Sequence, residues 1–566
     1  MRRLNSHRRL FAVGAAGLLA AGLAACSSSS PSSSPTGTSN ATGKTLVMES
    51  SPESTITQAF NPFVPTQAAY GMGATGLIYE PLIQFNLAAP PKYYPWLATS
   101  YAWSNGGKTI TFTIRQGVKW NNGTPFTPAD VAFTFNMMKA NAAVNLNGLK
   151  ISTASTSGNT VVLTFPAPQF SNLQSIAGTA IVPQAIWSKA GNPATFADAN
   201  PVGTGPFKLG SFTPQGFTLV KNPDFWQASS LKVPKVFFPV YTSNTGALSA
   251  LFSGQIDWTG NYIPGLQKSF VNTNPAFHHY WMAPGGTNSL VPNLNKWPTN
   301  QLAVRQAISA AINRQLLASE GEAGLENPVL NATGLTTPLY DAWGGPVASM
   351  TVPATGSAAA AKQILQKAGY TMGSNGFFSK GGKTVSLAIT NPSAYTDYAQ
   401  VDALVAQELR AAGIDATFQG QSVDAWNSDV ASGNFQLTSH WSNGPGITPY
   451  TMYDGWLDSA LASGSAATGD YERLNSPQVN AMLATLAGAE TTAKQTAALE
   501  PIAKYVAANL PVIPTTTGSQ WFEYNSQNYT GWPTQDNPYE TGQPSGTNNG
   551  PGSGSVEVVI LHLTPR

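Results

Sequence analysis

From residue 44 onward the chain alternates between two hydrophobic periods. In Thr109-Ile110-Thr111-Phe112-Thr113-Ile114 every second position is apolar, the period of a strand with one buried face. Residues 160–165 repeat that pattern, and 44–48 read as a first strand. Apolar positions at three- and four-residue spacing instead predict helices over 304–317, 358–368, 398–412 and 478–509, the last interrupted at Pro501. Thr127-Pro128-Ala129-Asp130 supplies a further helix start, with Thr127 as N-cap and Pro128 at the first helical position, where a missing N–H does no harm. The run Val556-Glu557-Val558-Val559-Ile560-Leu561-His562-Leu563 predicts a strand at the far C-terminus. Such a strand needs a sheet to join, so the chain end is expected to return to a domain begun much earlier. Strands and helices mix along the whole length, which defines an α/β chain of several lobes.

The pattern before residue 44 is different. Arg2, Arg3, Arg8 and Arg9 precede an uncharged apolar run of 16 residues from Leu10 to Ala25, and no acid occurs before Glu49. A basic start followed by a short apolar stretch is an export signal, and the run falls short of the roughly 20 residues that span a bilayer. Arg8-Arg9-Leu10-Phe11 fits a twin-arginine signal, and the whole segment fits the general secretory route equally well. The run ends in Leu23-Ala24-Ala25-Cys26, which resembles the lipobox of bacterial lipoproteins, and Cys26 is the only cysteine in the chain. Residues 27–43 are rich in Ser, Pro, Thr and Gly and cannot bury a core. The expectation is an export signal over 1–25, lipid on Cys26, a flexible tether over 26–43, and a body held on the outer face of the cell membrane.

Composition narrows the function. Only 10% of the 566 residues are charged, against about 25% in an average soluble domain. Removing the four N-terminal arginines leaves 25 basic and 27 acidic residues, a formal charge of −2. A nucleic-acid partner is excluded, because phosphate neutralisation needs clustered Lys and Arg. A single cysteine excludes an intrachain disulfide and a cysteine-ligated zinc. His7, His278, His279, His440 and His562 form no H-E-x-x-H, and no G-x-S-x-G elbow exists. Adjacent His278 and His279 face opposite ways in a strand, which disfavours a metal site from that pair. Gly203-Thr204-Gly205-Pro206-Phe207 lacks the G-K-[ST] ending of a phosphate loop, so its glycines read as a turn or a close backbone approach. No catalytic residue, metal ligand set or cofactor site is expected.

Aromatic residues are plentiful: 14 Trp, 19 Tyr and 25 Phe. Trp120, Phe133, Phe135 and Phe207 read as core. Trp258-Thr259-Gly260-Asn261-Tyr262 and Trp441-Ser442-Asn443-Gly444-Pro445 instead sit among small polar residues with no core periodicity. Aromatic planes beside amides can stack on a flat apolar face while hydrogen-bonding hydroxyls or peptide groups. Both loops are therefore expected to line a ligand site.

Four stretches together resemble the bacterial extracellular solute-binding protein family 5, the peptide-, nickel- and oligosaccharide-binding receptors of ABC importers. They are Ile78-Tyr79-Glu80-Pro81-Leu82; the segment from Pro95-Trp96-Leu97-Ala98 through Trp120 to Val131; Val202–Phe207 with Lys221-Asn222-Pro223-Asp224-Phe225-Trp226; and Val304-Arg305-Gln306-Ala307-Ile308 with Ala311-Ile312-Asn313-Arg314. The resemblance implies a two-lobed periplasmic-binding-protein-like fold of the large type II cluster, with an extra subdomain in the N-terminal lobe. Its expected bounds are 44–88 and 201–285 for lobe I, 89–200 for the inserted subdomain, 286–510 for lobe II and 511–566 for the return to lobe I. It also implies a monomeric receptor whose partners are a small solute and the permease and ATPase subunits of an importer. Peptide-binding members carry an Asp in a W-x-x-D-Y-like stretch; the matching region here, 441–450, has no acid before Asp454. A buried ammonium without its carboxylate is costly, so the resemblance points to a neutral cello- or xylo-oligosaccharide, with an oligopeptide as the alternative. The expected ligand-binding residues are Trp258, Asn261, Tyr262, Trp441, Asn443 and Tyr450. A secreted glycoside hydrolase and an adhesive surface lipoprotein are the remaining rivals.

Overall fold

The computed structural model describes residues 44–566 except 51, 54, 89–91, 442–445, 464–465 and 547–548. The expected signal, Cys26 and the tether lie outside the described residues, as does Asn443. Residues Gly43–Arg566 form one compact unit.

Three main sheets build the first lobe, with the two-stranded pairs Ile83–Asn86/Lys92–Pro95 and Tyr529–Thr530/Thr564–Pro565 beside them. Leu46–Val47, Lys235–Pro239, Gly216–Lys221 and Phe207–Thr213 lie side by side in that order. Ala98–Ser104, Thr109–Ile114, Thr160–Thr164 and Thr153–Ser157 form an antiparallel second sheet. Its strand 109–114 buries Ile110, Phe112 and Ile114 on one face, as the alternation requires. Helix Pro128–Ala140 packs on this sheet, with Pro128 in its first turn and a reciprocal capping box between Thr127 and Asp130. A third sheet pairs Trp258–Thr259 and His278–Tyr280 with the late strand Glu523–Asn525.

The second lobe is built on a five-stranded mixed sheet in the order Asp415–Gln421, Ser386–Pro392, Leu437–Trp441, Ala283–Pro292, Ile513–Gln520, with a small antiparallel sheet of Thr371–Met372, Phe378–Lys380 and Lys383–Thr384 beside it. Strand 513–520 pairs antiparallel with 283–292, so the sheet takes in a segment that the sequence boundaries place in the return. Its buried apolar residues, with those of helices Leu302–Ala311, Ala358–Lys367 and Thr396–Ala411, make a core separate from that of the first lobe.

Residues that carry the family resemblance hold this architecture together. A Cβ on Gly203 would lie 1.8 Å from the Ile78 carbonyl oxygen, so the turn at 203–205 is a close backbone approach that only glycine permits. The buried Glu80 accepts a hydrogen bond from Trp226 Nε1 at 2.7 Å, and the Arg115 guanidinium lies 4.1 Å over the Trp226 ring. The buried Arg314 donates to the Pro514 and Ser309 carbonyl oxygens at 2.8 and 3.1 Å, tying a helix start to strand 513–520.

Three sequence expectations need correction. The helix expected over 304–317 ends at Ala311, where Ile312 is extended, and a new turn starts at Arg314–Leu316 with Asn313 as its N-cap. Residues Glu557–His562 are a helix, and the short strand that follows, Thr564–Pro565, pairs with Tyr529–Thr530. Val556, Val559, Ile560 and Leu563 are all buried, at i, i+3, i+4 and i+7; helical burial against the first-lobe core overrides the β-branched composition. The break in 478–509 falls at Gly488, between helices Pro477–Ala487 and Thr492–Asn509, and Pro501 sits inside the second helix.

Candidate functional site

Between the two lobes lies a cleft of about 800 Å³ of space free of protein atoms, part of it open to solvent. Its first-lobe wall is Ser50, Pro52, Asn244, Gly260–Tyr262, Trp521 and Ser545; its second-lobe wall is Gly286–Asn288, Glu326, Tyr395, Asp397, Tyr398 and Trp441. The floor is where strands 283–292 and 513–520 cross from lobe to lobe. Their register shifts between Pro284 and Thr287, and a Cβ on Gly285 would lie 1.8 Å from the Gly518 carbonyl oxygen. A bulge at this crossing re-aims the chain, and Gly286, Thr287 and Asn288 face the cleft.

Three of the six expected ligand residues converge here: Asn261 and Tyr262 from the first lobe and Trp441 from the second. Two do not. Trp258 is fully buried in the first-lobe core, its Nε1 donating to the Gly542 carbonyl at 2.7 Å and its ring edge-on to Phe522 and Trp532. Its strand pairs with 523–525, which turns the indole inward although the loop composition suggested exposure. Tyr450 begins helix Tyr450–Leu457 and packs in a buried cluster with Met452, Tyr453 and Trp456.

Sequence reasoning missed Asn288, Glu326, Tyr398 and Trp521. Each comes from a different segment, and only the crossing of the chain between lobes assembles them. Asp397, an acid in the first turn of helix 396–411, reads along the sequence as a partner of the helix dipole rather than as a cleft residue.

The second-lobe wall is one hydrogen-bond chain. Tyr398 Oη donates to Asn288 Oδ1 at 3.0 Å, Asn288 Nδ2 donates to Glu326 Oε2 at 3.0 Å, and Glu326 Oε1 accepts the Ser519 N–H at 2.8 Å. On the first-lobe side, Asn261 Nδ2 and Thr259 Oγ1 both donate to Glu49 Oε2, the latter at 2.7 Å. Across the gap, Asn244 Nδ2 donates to Thr396 Oγ1 and Tyr262 Oη to the Gly321 carbonyl, each at 3.3 Å.

Burial governs the electrostatics. Desolvation raises Glu326 to about 8 and Glu49 to about 7, and holds Asp397 at about 6, in each case offset in part by hydrogen bonds. Behind the wall, burial raises Asp402 to about 7 and Glu322 well above the carboxylate range, the latter reinforced by Glu326, Asp397 and Asp402. The cleft thus has acids from segments that a linear reading of 441–450 did not reach, and its described lining contains no Lys, Arg or His. Among the described residues no group of three or more His, Cys, Asp or Glu is arranged to hold a metal ion, and no helix is long and apolar enough to cross a membrane.

Two lobes, two crossing strands and a polar, aromatic cleft between them define an interlobe solute-binding protein. The family model of bacterial extracellular solute-binding proteins, family 5 Middle, matches residues 92–464, and the chain belongs to that family. The nickel-binding periplasmic protein of Escherichia coli (strain K12) is 27% identical over 392 residues, 67% of this chain and 73% of the relative. The oligopeptide-binding protein OppA of Bacillus subtilis (strain 168) is 25% identical over 45% of this chain and 50% of its own. Among solved structures, the mannohexaose-bound periplasmic oligopeptide-binding protein of an oligopeptide ABC transporter from Thermotoga maritima superposes with a TM-score of 0.82 at 25% identity, covering 93% of this chain and 99% of that one. The protein is accordingly a solute-binding receptor of the kind that serves ABC importers, and not an enzyme.

Proposed function

We propose that the cleft captures a neutral, hydroxyl-rich oligomer, an oligosaccharide of cello or xylo type, and delivers it to the importer's permease. The observation that carries this reading is the lining: amides, hydroxyls and aromatic rings from both lobes, with no described cation. Asn288 and Gln520 offer amide donors and acceptors for hydroxyls, Asn261 offers its Oδ1 as an acceptor because its Nδ2 is committed to Glu49 and Thr259, and Trp441 and Trp521 offer flat apolar faces for pyranose rings. A short peptide's terminal carboxylate would enter with no cationic partner, and desolvating it unpaired costs several kcal/mol. The mannohexaose in the Thermotoga protein supports a sugar in a cleft of this fold. Closure follows from ligand contacts to both walls, which favour the closed arrangement by their differential affinity.

A second reading, an oligopeptide, is favoured by Asp397 and Glu326, two carboxyl groups that could meet a cationic nitrogen. Thermal-shift titration of the purified protein with cellohexaose, xylohexaose and mixed tri- to pentapeptides separates the two. At 100 times its dissociation constant a ligand stabilises by about 2.7 kcal/mol. A shift with peptides and none with sugars overturns the first reading; release of reducing ends by pure protein would restore a hydrolase.

The body is held at the membrane by lipid on Cys26 in this proposal, the motif 23–26 being its support. Cys26→Ser is expected to release the protein from the membrane fraction, and retention would refute the anchor.

A further inference from the structure

Trp441 stands at the end of strand 437–441, opposite Asn288 on the neighbouring strand. One side of its indole faces the cleft; the other leans on a buried stack. His440 is 5% exposed, and its ring centroid lies 4.3 Å from Trp441, 5.4 Å from Trp426 and 4.7 Å from Tyr471, at interplanar angles of 32°, 26° and 39°. Its Nδ1 is 2.7 Å from the Trp441 carbonyl oxygen. A carbonyl only accepts, so Nδ1 carries the hydrogen. Trp426 is pinned in turn by its Nε1 hydrogen bond to Thr438 Oγ1 at 2.9 Å.

We propose that His440 is a positioning residue for ligand capture: packed against Trp426, Tyr471 and Trp441, and closer to the Trp441 ring than Trp426 at 5.8 Å or Tyr398 at 6.3 Å, it holds the Trp441 indole ready as a shelf for a sugar ring before any ligand arrives. The proposal rests on the reading that Trp441 contacts the ligand. Its physical basis is preorganisation. An indole free to rotate must be ordered on binding, which weakens affinity roughly two- to ten-fold. Tilted ring contacts on one side and a ring-to-backbone hydrogen bond remove that freedom in advance. Burial pushes the imidazole down to about 4, so it brings no charge to a cleft that already has acids.

The test uses 5-fluorotryptophan-labelled protein, with the Trp441 resonance assigned through Trp441→Phe. In ligand-free protein, His440→Ala is expected to shift or broaden that resonance, and His440→Phe, which restores a flat ring, to recover most of it. His440→Leu, which keeps the volume without a plane or donor, is expected to behave like His440→Ala and serves if the alanine variant does not fold. By calorimetry with cellohexaose, His440→Ala is expected to weaken binding two- to ten-fold in the wild-type background and to add nothing in a Trp441→Ala background. An unchanged Trp441 resonance, or an equal loss of affinity in both backgrounds, overturns the proposal. If cellohexaose does not bind at all, the sugar reading fails, while the ligand-free resonance still decides the role of His440.

Discussion

Raising the pH from 5 to 8 is expected to destabilise this protein, in the direction opposite to one held by paired carboxylates. Glu49 is fully buried, and burial moves its pKa from 4.5 to about 7. A carboxyl whose folded pKa is raised contributes stability below its unfolded pKa, and that contribution is lost as pH rises through the folded value. Between about 4.5 and 7 the folded protein holds a proton that the unfolded chain has released, so the free energy of unfolding falls by about 1.4 kcal/mol per pH unit for each such group. Over that interval Glu49 alone accounts for a loss on the order of 3 kcal/mol. Asp402 and Glu326 act in the same direction, raised to about 7 and 8. The four ion pairs among the described residues are all partly exposed and worth little in opposition; the buried His440, held at about 4, opposes the trend only up to pH 6.5, by about 1.4 kcal/mol per pH unit, less than the three carboxyls together. Urea unfolding followed by circular dichroism at pH 5, 6, 7 and 8 measures the slope. Glu49→Gln keeps an oxygen to accept from Thr259 and Asn261 but cannot ionise. It should match wild type at pH 4.5 and exceed it at pH 8 by on the order of 1–3 kcal/mol. Stability that is flat or rises from pH 5 to 8, or a Glu49→Gln variant with an unchanged slope, would mean that Glu49 does not hold a proton in the folded protein.

Other substitutions separate cleft from core. Trp441→Ala should weaken sugar binding by about 1–3 kcal/mol, taking base stacking as a guide, with a smaller loss of stability than a core tryptophan causes, because its indole is only partly buried against His440 and Trp426. Trp258→Ala should do the reverse, lowering stability by about 3–5 kcal/mol through the cavity it leaves beside Phe522 and Trp532; calorimetry and melting curves on both variants check the contrast. Gly203→Ala places a methyl against the Ile78 carbonyl and is expected to destabilise by about 1–3 kcal/mol or more, read from the urea midpoint. Tyr262→Phe removes a hydrogen bond from the first lobe to the Gly321 carbonyl. Small-angle scattering of the ligand-free variant should show a larger radius of gyration than wild type, and an equal one would mean that this bond does not hold the lobes together.

Local patterns were legible where one element carries its own evidence. The alternation at 109–114, the Thr127-Pro128 start and the helices at 358–368 and 398–412 all correspond to elements within a residue or two of the expected bounds. The C-terminal run shows where such reading fails: its β-branched residues argued for a strand, while the same residues at i, i+3, i+4 and i+7 bury one face of a helix. Only the core it packs against chooses between the two. The two aromatic loops divided in the same way. Their composition is alike, yet pairing with strand 523–525 turns Trp258 inward, while the end of strand 437–441 leaves Trp441 at the cleft.

Read alone, the chain reached the class through motif segments that resemble a solute-binding family, while its sparse charge argued only against a nucleic-acid partner. Those features are local or compositional, and each acts through neighbours along the chain. Tertiary structure alone decided the cleft. Asn261, Asn288, Glu326, Asp397, Tyr398, Trp441 and Trp521 meet because two strands cross between lobes and a bulge at Gly285 turns the chain toward the gap. It also decided which acids sit there and in which protonation state, because desolvation depends on what surrounds a carboxyl in space and not on its sequence neighbours.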